Sequence, residues 1–230
     1  MLQLFGPRIF AQPHLAVSQA LFAVARYQIE SRDFHPYASK FDRWLEGKAR
    51  LSPSEARGYA LFNDPKRANC AACHLDGVTP DGLPPLFTDH QYEALGVPRN
   101  PMLAANRDPH YYDLGICGPI RTDMKAARQF CGMFLTPTLR NVATRQAFFH
   151  NGVYHTLRQV LDFYNFRDTR PARIYPPQRQ YDDLPAAARA NLDSTDAPFD
   201  RKRGDAPPLT DAEESDIIAF LGTLTDDAQR

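Results

Sequence analysis

The segment Cys70-Ala71-Ala72-Cys73-His74 constrains this chain more than any other. Its two thiols fall about one helical turn apart, and the histidine follows the second thiol directly. This is the pattern by which a c-type haem is attached: the thiols add to the two vinyl groups and the histidine lies under the iron. A stray cysteine pair or half a zinc site is the alternative. Zinc would need a second ligand pair, and the other two cysteines, Cys117 and Cys131, have no C-x-x-C spacing. The sequence therefore predicts one covalent haem c, held by Cys70 and Cys73 with His74 as an iron ligand. Bacteria attach such haems outside the cytoplasm, which predicts a periplasmic location. In that oxidising setting Cys117 and Cys131 either form a disulfide or remain two buried thiols.

At 230 residues the chain can bury a core, with one compact domain and appended segments expected. The 27 Lys and Arg balance the 27 Asp and Glu, which removes any global electrostatic argument for nucleic acid or an anionic membrane as partner. No segment approaches a membrane span. The best apolar run, Leu15 to Ala25, is short and broken by Ser18-Gln19. It reads as an amphipathic helix with Leu15, Phe22, Ala25 and Ile29 on one face, rather than as a signal peptide. An exported haem protein without an evident signal peptide implies that residue 1 is not the start of the full gene product.

Two helix signatures bracket the haem segment. Ser52-Pro53-Ser54-Glu55 is a capping box with proline at the first helical position, and it opens a helix that delivers the chain to Cys70. Thr210-Asp211-Ala212-Glu213 is a second capping box, followed by Ile217, Phe220, Leu221 and Leu224 on one face. These are candidates for the crossed first and last helices of a cytochrome c fold. A third helix is expected from about Thr156 to Asn165, where Leu157, Val160, Leu161 and Tyr164 have helical spacing. His74 to Asn100 and the Pro-, Asp- and Arg-rich stretch Arg167 to Leu209 read as loop, with a short helix around Ala186 to Leu192. The 20 prolines support helices joined by long ordered loops. The expected class is all-α, a cytochrome c-like helical domain over 49–230 preceded by a connecting helical segment, 1–48.

Several segments extend this reading. They are Gly58-Tyr59-Ala60-Leu61-Phe62-Asn63-Asp64-Pro65, Pro85-Leu86-Phe87-Thr88-Asp89 and Leu95-Gly96-Val97-Pro98-Arg99-Asn100. Further on come Thr136-Pro137-Thr138-Leu139-Arg140-Asn141-Val142-Ala143, Phe148-Phe149-His150-Asn151-Gly152, Thr156-Leu157 and Phe163-Tyr164-Asn165. Together with the haem motif, this composite resembles the C-terminal haem domain of the bacterial dihaem cytochrome c peroxidase and MauG superfamily, over nearly the whole chain. Those enzymes have two cytochrome-like domains, each with its own C-x-x-C-H, whereas this sequence has one. Phe34-His35-Pro36-Tyr37 and Ser39-Lys40-Phe41-Asp42 look like the crossing from a first domain into the second. The resemblance thus implies a fragment, a truncated form, or a half-enzyme that works with an upstream or separate haem domain. Hydrogen peroxide and an electron-donor protein or protein substrate are the implied partners. The rival reading is a monohaem electron carrier with no catalysis of its own.

The second iron ligand separates the two. By residue type alone a methionine suits an electron-transfer haem, and Met133 and Met102 are eligible. The resemblance points instead to Tyr164, fourteen residues past His150, because peroxidases of the family carry their ligand methionine at that place and MauG carries a tyrosine there. It also implies that His150 is close to the haem pocket, with a hydrogen-bonding, redox-tuning or purely structural role. Arg99 and Arg140 are candidate partners of the haem propionates, since a guanidinium fork matches a carboxylate. Two departures limit the transfer. Ala68 stands where MauG proteins that mature a tryptophan-derived quinone have tryptophan, so that activity is not implied. Arg145-Gln146-Ala147 replaces a Thr-Ala-Pro whose carbonyls help bind interdomain calcium in the peroxidases, so calcium stays an open question. Trp44, the only tryptophan, lies in the connecting segment and is expected simply to pack.

Overall fold

The structure, a computed structural model, describes residues 2–34 and 37–227. His35 and Pro36, in the expected domain crossing, lie outside the described residues. The chain divides into two compact units, one ending at Ala38 and one beginning at Ser39.

The first unit holds helices α1 (Leu2–Phe5) and α2 (Pro13–Glu30). Pro13 opens α2, where its missing N–H costs nothing. The expected apolar face forms a helix, but none of its side chains is buried; Leu15, Phe22 and Ile29 are all exposed. No helix among the described residues is long and apolar enough to cross a membrane.

The second unit contains α3 (Lys40–Leu45), α4 (Pro53–Phe62), α5 (Leu157–Phe166) and α6 (Asp211–Gly222). Each begins with a capping box: Ser39 with Asp42, Ser52 with Glu55, Thr156 with Gln159, and Thr210 with Glu213. In each box the hydroxyl accepts from one backbone N–H while the acid or amide accepts from another, so two otherwise orphaned donors are satisfied locally.

The expected crossing of the helix before Cys70 with the last helix is present, and a missing side chain makes it close. A Cβ on Gly58 of α4 would stand 1.9 Å from the carbonyl oxygen of Asp216 in α6. Ser54 and Arg57 donate to the Asp216 carboxylate at 2.5 and 2.7 Å, fixing the register of the two helices. Beneath them lies an aromatic core of Phe41, Phe62, Phe87 and Phe220 with Ile217 and Leu224, all essentially inaccessible. Trp44 does pack, 5.3 Å between ring centroids from both Phe41 and Tyr59.

The boundary between units falls ten residues before the expected one, which corrects the assignment of 39–48 to the connecting segment. The cause is long-range bonding. Phe41 N–H donates to the Thr223 carbonyl at 3.0 Å, and the Asp42 carboxylate takes both terminal nitrogens of Arg140, at 2.7 and 2.8 Å. Helix is also not the whole of the unit. β1 (Tyr92–Glu93) pairs antiparallel with β2 (Phe134–Leu135), Glu93 opposite Phe134, across a long loop. Cys117 and Cys131 form a disulfide, packed with Leu184 and Ala188.

Candidate functional site

Asn69 adopts a left-handed conformation (φ 50°) and turns the chain out of α4 into a 3-10 turn, Cys70–Ala72. Its side chain is tied to the Ala197 carbonyl at 3.0 Å, and the His74 N–H closes the turn on the Cys70 carbonyl at 2.8 Å. Cys70, Cys73 and His74 thereby line one cavity of about 470 Å³, a size usual for cofactor sites. Burial pushes the Cys70 thiol up to about 12 and the Cys73 thiol up to about 11, the latter helped by nearby Asp89, Glu93, Asp193 and Asp196.

The His74 ring is oriented from behind. Its Nδ1 lies 2.9 Å from the Phe87 carbonyl. A carbonyl only accepts, so Nδ1 carries the proton and Nε2 carries the lone pair. Burial moves the ring's pKa down, against the hydrogen bonds to the Phe87 and Pro137 backbone and the Asp89 charge. This is how metal-ligating histidines are held: one nitrogen donates to a backbone carbonyl and the other is left to coordinate.

The opposite wall comes from α5. Leu157, Val160, Leu161 and Tyr164, the expected apolar face, all line the cavity. Tyr164 packs among rings, 6.1 Å from Phe149, 5.5 Å from Phe163 and 5.4 Å from Phe199, the last stacked at 26°. Burial pushes its phenol well up, with the charges of Cys70 and Cys73 acting in the same direction and Arg167 opposing. His150 also lines the cavity, stacked flat on Phe134 at 3.5 Å, with Nε2 3.3 Å from the Asp183 carboxylate.

Other candidates are placed elsewhere. Neither Met133 nor Met102 lines the cavity, and Met102 is 86% exposed. Arg99 and Arg140 are also not at its wall, which corrects the expectation that they meet propionates. Arg140 is buried and committed to Asp42 and to the Pro85 carbonyl at 2.9 Å. Arg99 donates to the carbonyls of Tyr111 and Asp108, each at 2.7 Å, and braces their loop. The arginine among the lining residues is Arg145, which is otherwise exposed.

Sequence reasoning missed Arg145, Phe134, Phe199 and Asp183. Asp183 is the hub of a buried group, accepting from Asn151 at 2.8 Å, with Arg99 3.7 Å away. Nothing in Asp182-Asp183-Leu184 singles it out, because its partners are distant in sequence. Among the described residues no group of three or more His, Cys, Asp or Glu side chains is placed to hold a metal ion.

The residues present fit a c-type haem: a thiol pair one turn apart, a neutral histidine with its lone pair on Nε2, and a large, mainly apolar cavity joining them. By its fold and site this is a haem redox protein. No family model matches the chain, but known proteins do. It is 32% identical over 227 residues to the methylamine utilization protein MauG of Paracoccus denitrificans, covering 97% of this chain and 55% of that protein. It is also 32% identical to the cytochrome-c peroxidase IdrP1 of Denitromonas iodatirespirans, over 68% of this chain and 43% of the relative. The solved diheme peroxidase BthA of Burkholderia thailandensis superposes with a TM-score of 0.86 at 39% identity, over 98% of this chain and 55% of that one. The chain belongs to the dihaem cytochrome c peroxidase and MauG superfamily. It spans about half the length of these relatives.

Proposed function

We propose that this chain is an all-α, cytochrome c-like haem domain, the C-terminal one of a MauG-like dihaem peroxidase, with a single haem between His74 and Tyr164. Bound there, the haem would supply a one-electron redox centre serving peroxide-dependent oxidation. The observation that carries the reading is that the thiol pair, His74 and Tyr164 line one cavity, which no methionine among the described residues shares.

The chain's own residues have separable tasks in this scheme. Cys70 and Cys73 anchor the group, and Phe87 presents its carbonyl so that His74 offers Nε2. The α5 face and Ile217 and Leu221 of α6 exclude water from the cavity. His150, braced by Asp183 and Phe134, supplies a polar edge, and Arg145 replaces Arg99 and Arg140 as the candidate propionate partner. The disulfide supports an oxidising compartment outside the cytoplasm. The other haem domain, hydrogen peroxide and a donor or substrate protein complete the reaction.

Replacing Tyr164 with Phe in the haem-loaded protein tests the central assignment. The ferric spectrum is expected to lose its tyrosinate charge-transfer features. An unchanged spectrum rejects ligation by Tyr164, and a weak near-infrared sulfur-to-iron band in the wild type would return the reading to a methionine-ligated carrier.

A further inference from the structure

Arg167 caps the C-terminal end of α5, three residues after Tyr164, and is 1% exposed. A solvated side chain would serve a helix end equally well. Burying a guanidinium instead requires that its charge and donors be matched. Here Nε donates to Asp168 at 2.7 Å, one terminal nitrogen to the Leu95 carbonyl at 3.1 Å, and the other to the Asp193 carbonyl at 2.6 Å. Leu95 and Asp193 both line the cavity, so this one side chain ties the end of α5 to two further wall segments. Its Cζ also lies 3.7 Å from the centroid of Phe199, the ring on which Tyr164 stacks.

We propose that Arg167 is a positioning residue for Tyr164: it clamps Phe199 and the walls at Leu95 and Asp193, and so holds the Tyr164 ring facing the cavity, with a permanent cation behind it. The inference rests on the reading of Tyr164 as an iron ligand. Guanidinium does not lose its proton in proteins, so the cation persists at every working pH. Asp168 offsets part of the charge, but its carboxylate is shared with the Tyr181 hydroxyl at 2.7 Å.

The test uses ferric spectra of the full haem-loaded chain. The difference between wild type and Y164F defines the tyrosinate signature. Arg167→Met and Phe199→Leu are each expected to lose most of that signature, whereas Arg167→Lys, which keeps a cation over the ring, retains it. A merely structural role would lower thermal stability and leave the band in place. If Y164F leaves the spectrum unchanged, the ligation reading fails and this inference with it. If Y164F removes the signature but both R167M and F199L keep it, ligation stands and the role of Arg167 is overturned. Should R167M not fold, F199L decides alone, since it leaves every polar partner of Arg167 intact. Loss in R167K equal to that in R167M would overturn the part assigned to charge.

Discussion

Asp42 and Arg140 meet across 98 positions of sequence in a bidentate pair that is almost fully buried. Burial works against ionisation of Asp42, but hydrogen bonds from Arg140 and Ser39 and the Arg140 charge outweigh it and hold its carboxyl below the ordinary value of 3.8. A carboxyl with a depressed folded pKa contributes stability above its unfolded value, and that contribution is lost as pH falls through the folded one. The denaturant midpoint of the wild type should therefore fall below about pH 4, and Asp42→Asn should flatten this part of the profile. At neutral pH the same substitution leaves Arg140 buried beside a neutral partner, an expected loss of about 3–5 kcal/mol in chemical denaturation. A second substitution, Arg140→Met with Asp42→Asn, should recover much of that loss, because removing both charges removes the unmatched one.

Between elements, the crossing of α4 and α6 depends on what Gly58 lacks. Gly58→Ala places a methyl against the Asp216 backbone and the Phe220 Cβ. It is expected to cost about 1–3 kcal/mol or more, because neither contact is the far end of a flexible side chain. The change should appear as a lower thermal midpoint, with the Ser54 and Arg57 ties to Asp216 strained as the helices part. Thr210→Ala removes one cap of α6 and should cost about 1 kcal/mol. The helices around the haem motif were legible for a local reason: Ser52 with Glu55 and Thr210 with Glu213 bond within one turn, and Leu157 to Tyr164 repeat with the helix. The expected third helix is displaced by a single residue, with Thr156 as its cap. What stayed hidden is non-local. Glu93 against Phe134, Asp183 against His150, and Asp42 against Arg140 join segments far apart, and no spacing rule reports such pairs. Arg140 was assigned to a propionate for the same reason: its chemistry was visible and its actual partner was not. The helix over Leu15 to Ile29 was readable, but whether its apolar face is covered was not a property of its own periodicity.

At the scale of the whole molecule, the disulfide closes a loop between residues 14 apart and backs the cavity wall, because Gly132 and Leu184 both line the cavity and Leu184 shares one buried cluster with the two cysteines. Replacing Cys117 and Cys131 with alanine should cost about 3 kcal/mol, read as the difference in urea unfolding between the variant and the oxidised wild type. Function at this scale is expected to need more than this chain. Hydrogen peroxide mixed with the haem-loaded protein should give little turnover until a second haem domain is added, and brisk turnover by the chain alone would contradict the proposed division of labour. If His74 and Tyr164 ligate the iron as proposed, their placement also sets an order of assembly. Cys70, Cys73 and His74 are contiguous, so an unfolded chain already presents everything that covalent attachment and the first ligand require. Tyr164 is 90 positions further on, and reaches the same cavity only when α5 docks. On that proposal one ligand is inherited from the primary structure, while the other is brought in only by the native fold. The colour of the ferric protein would then act as a built-in gauge of whether the domain is folded.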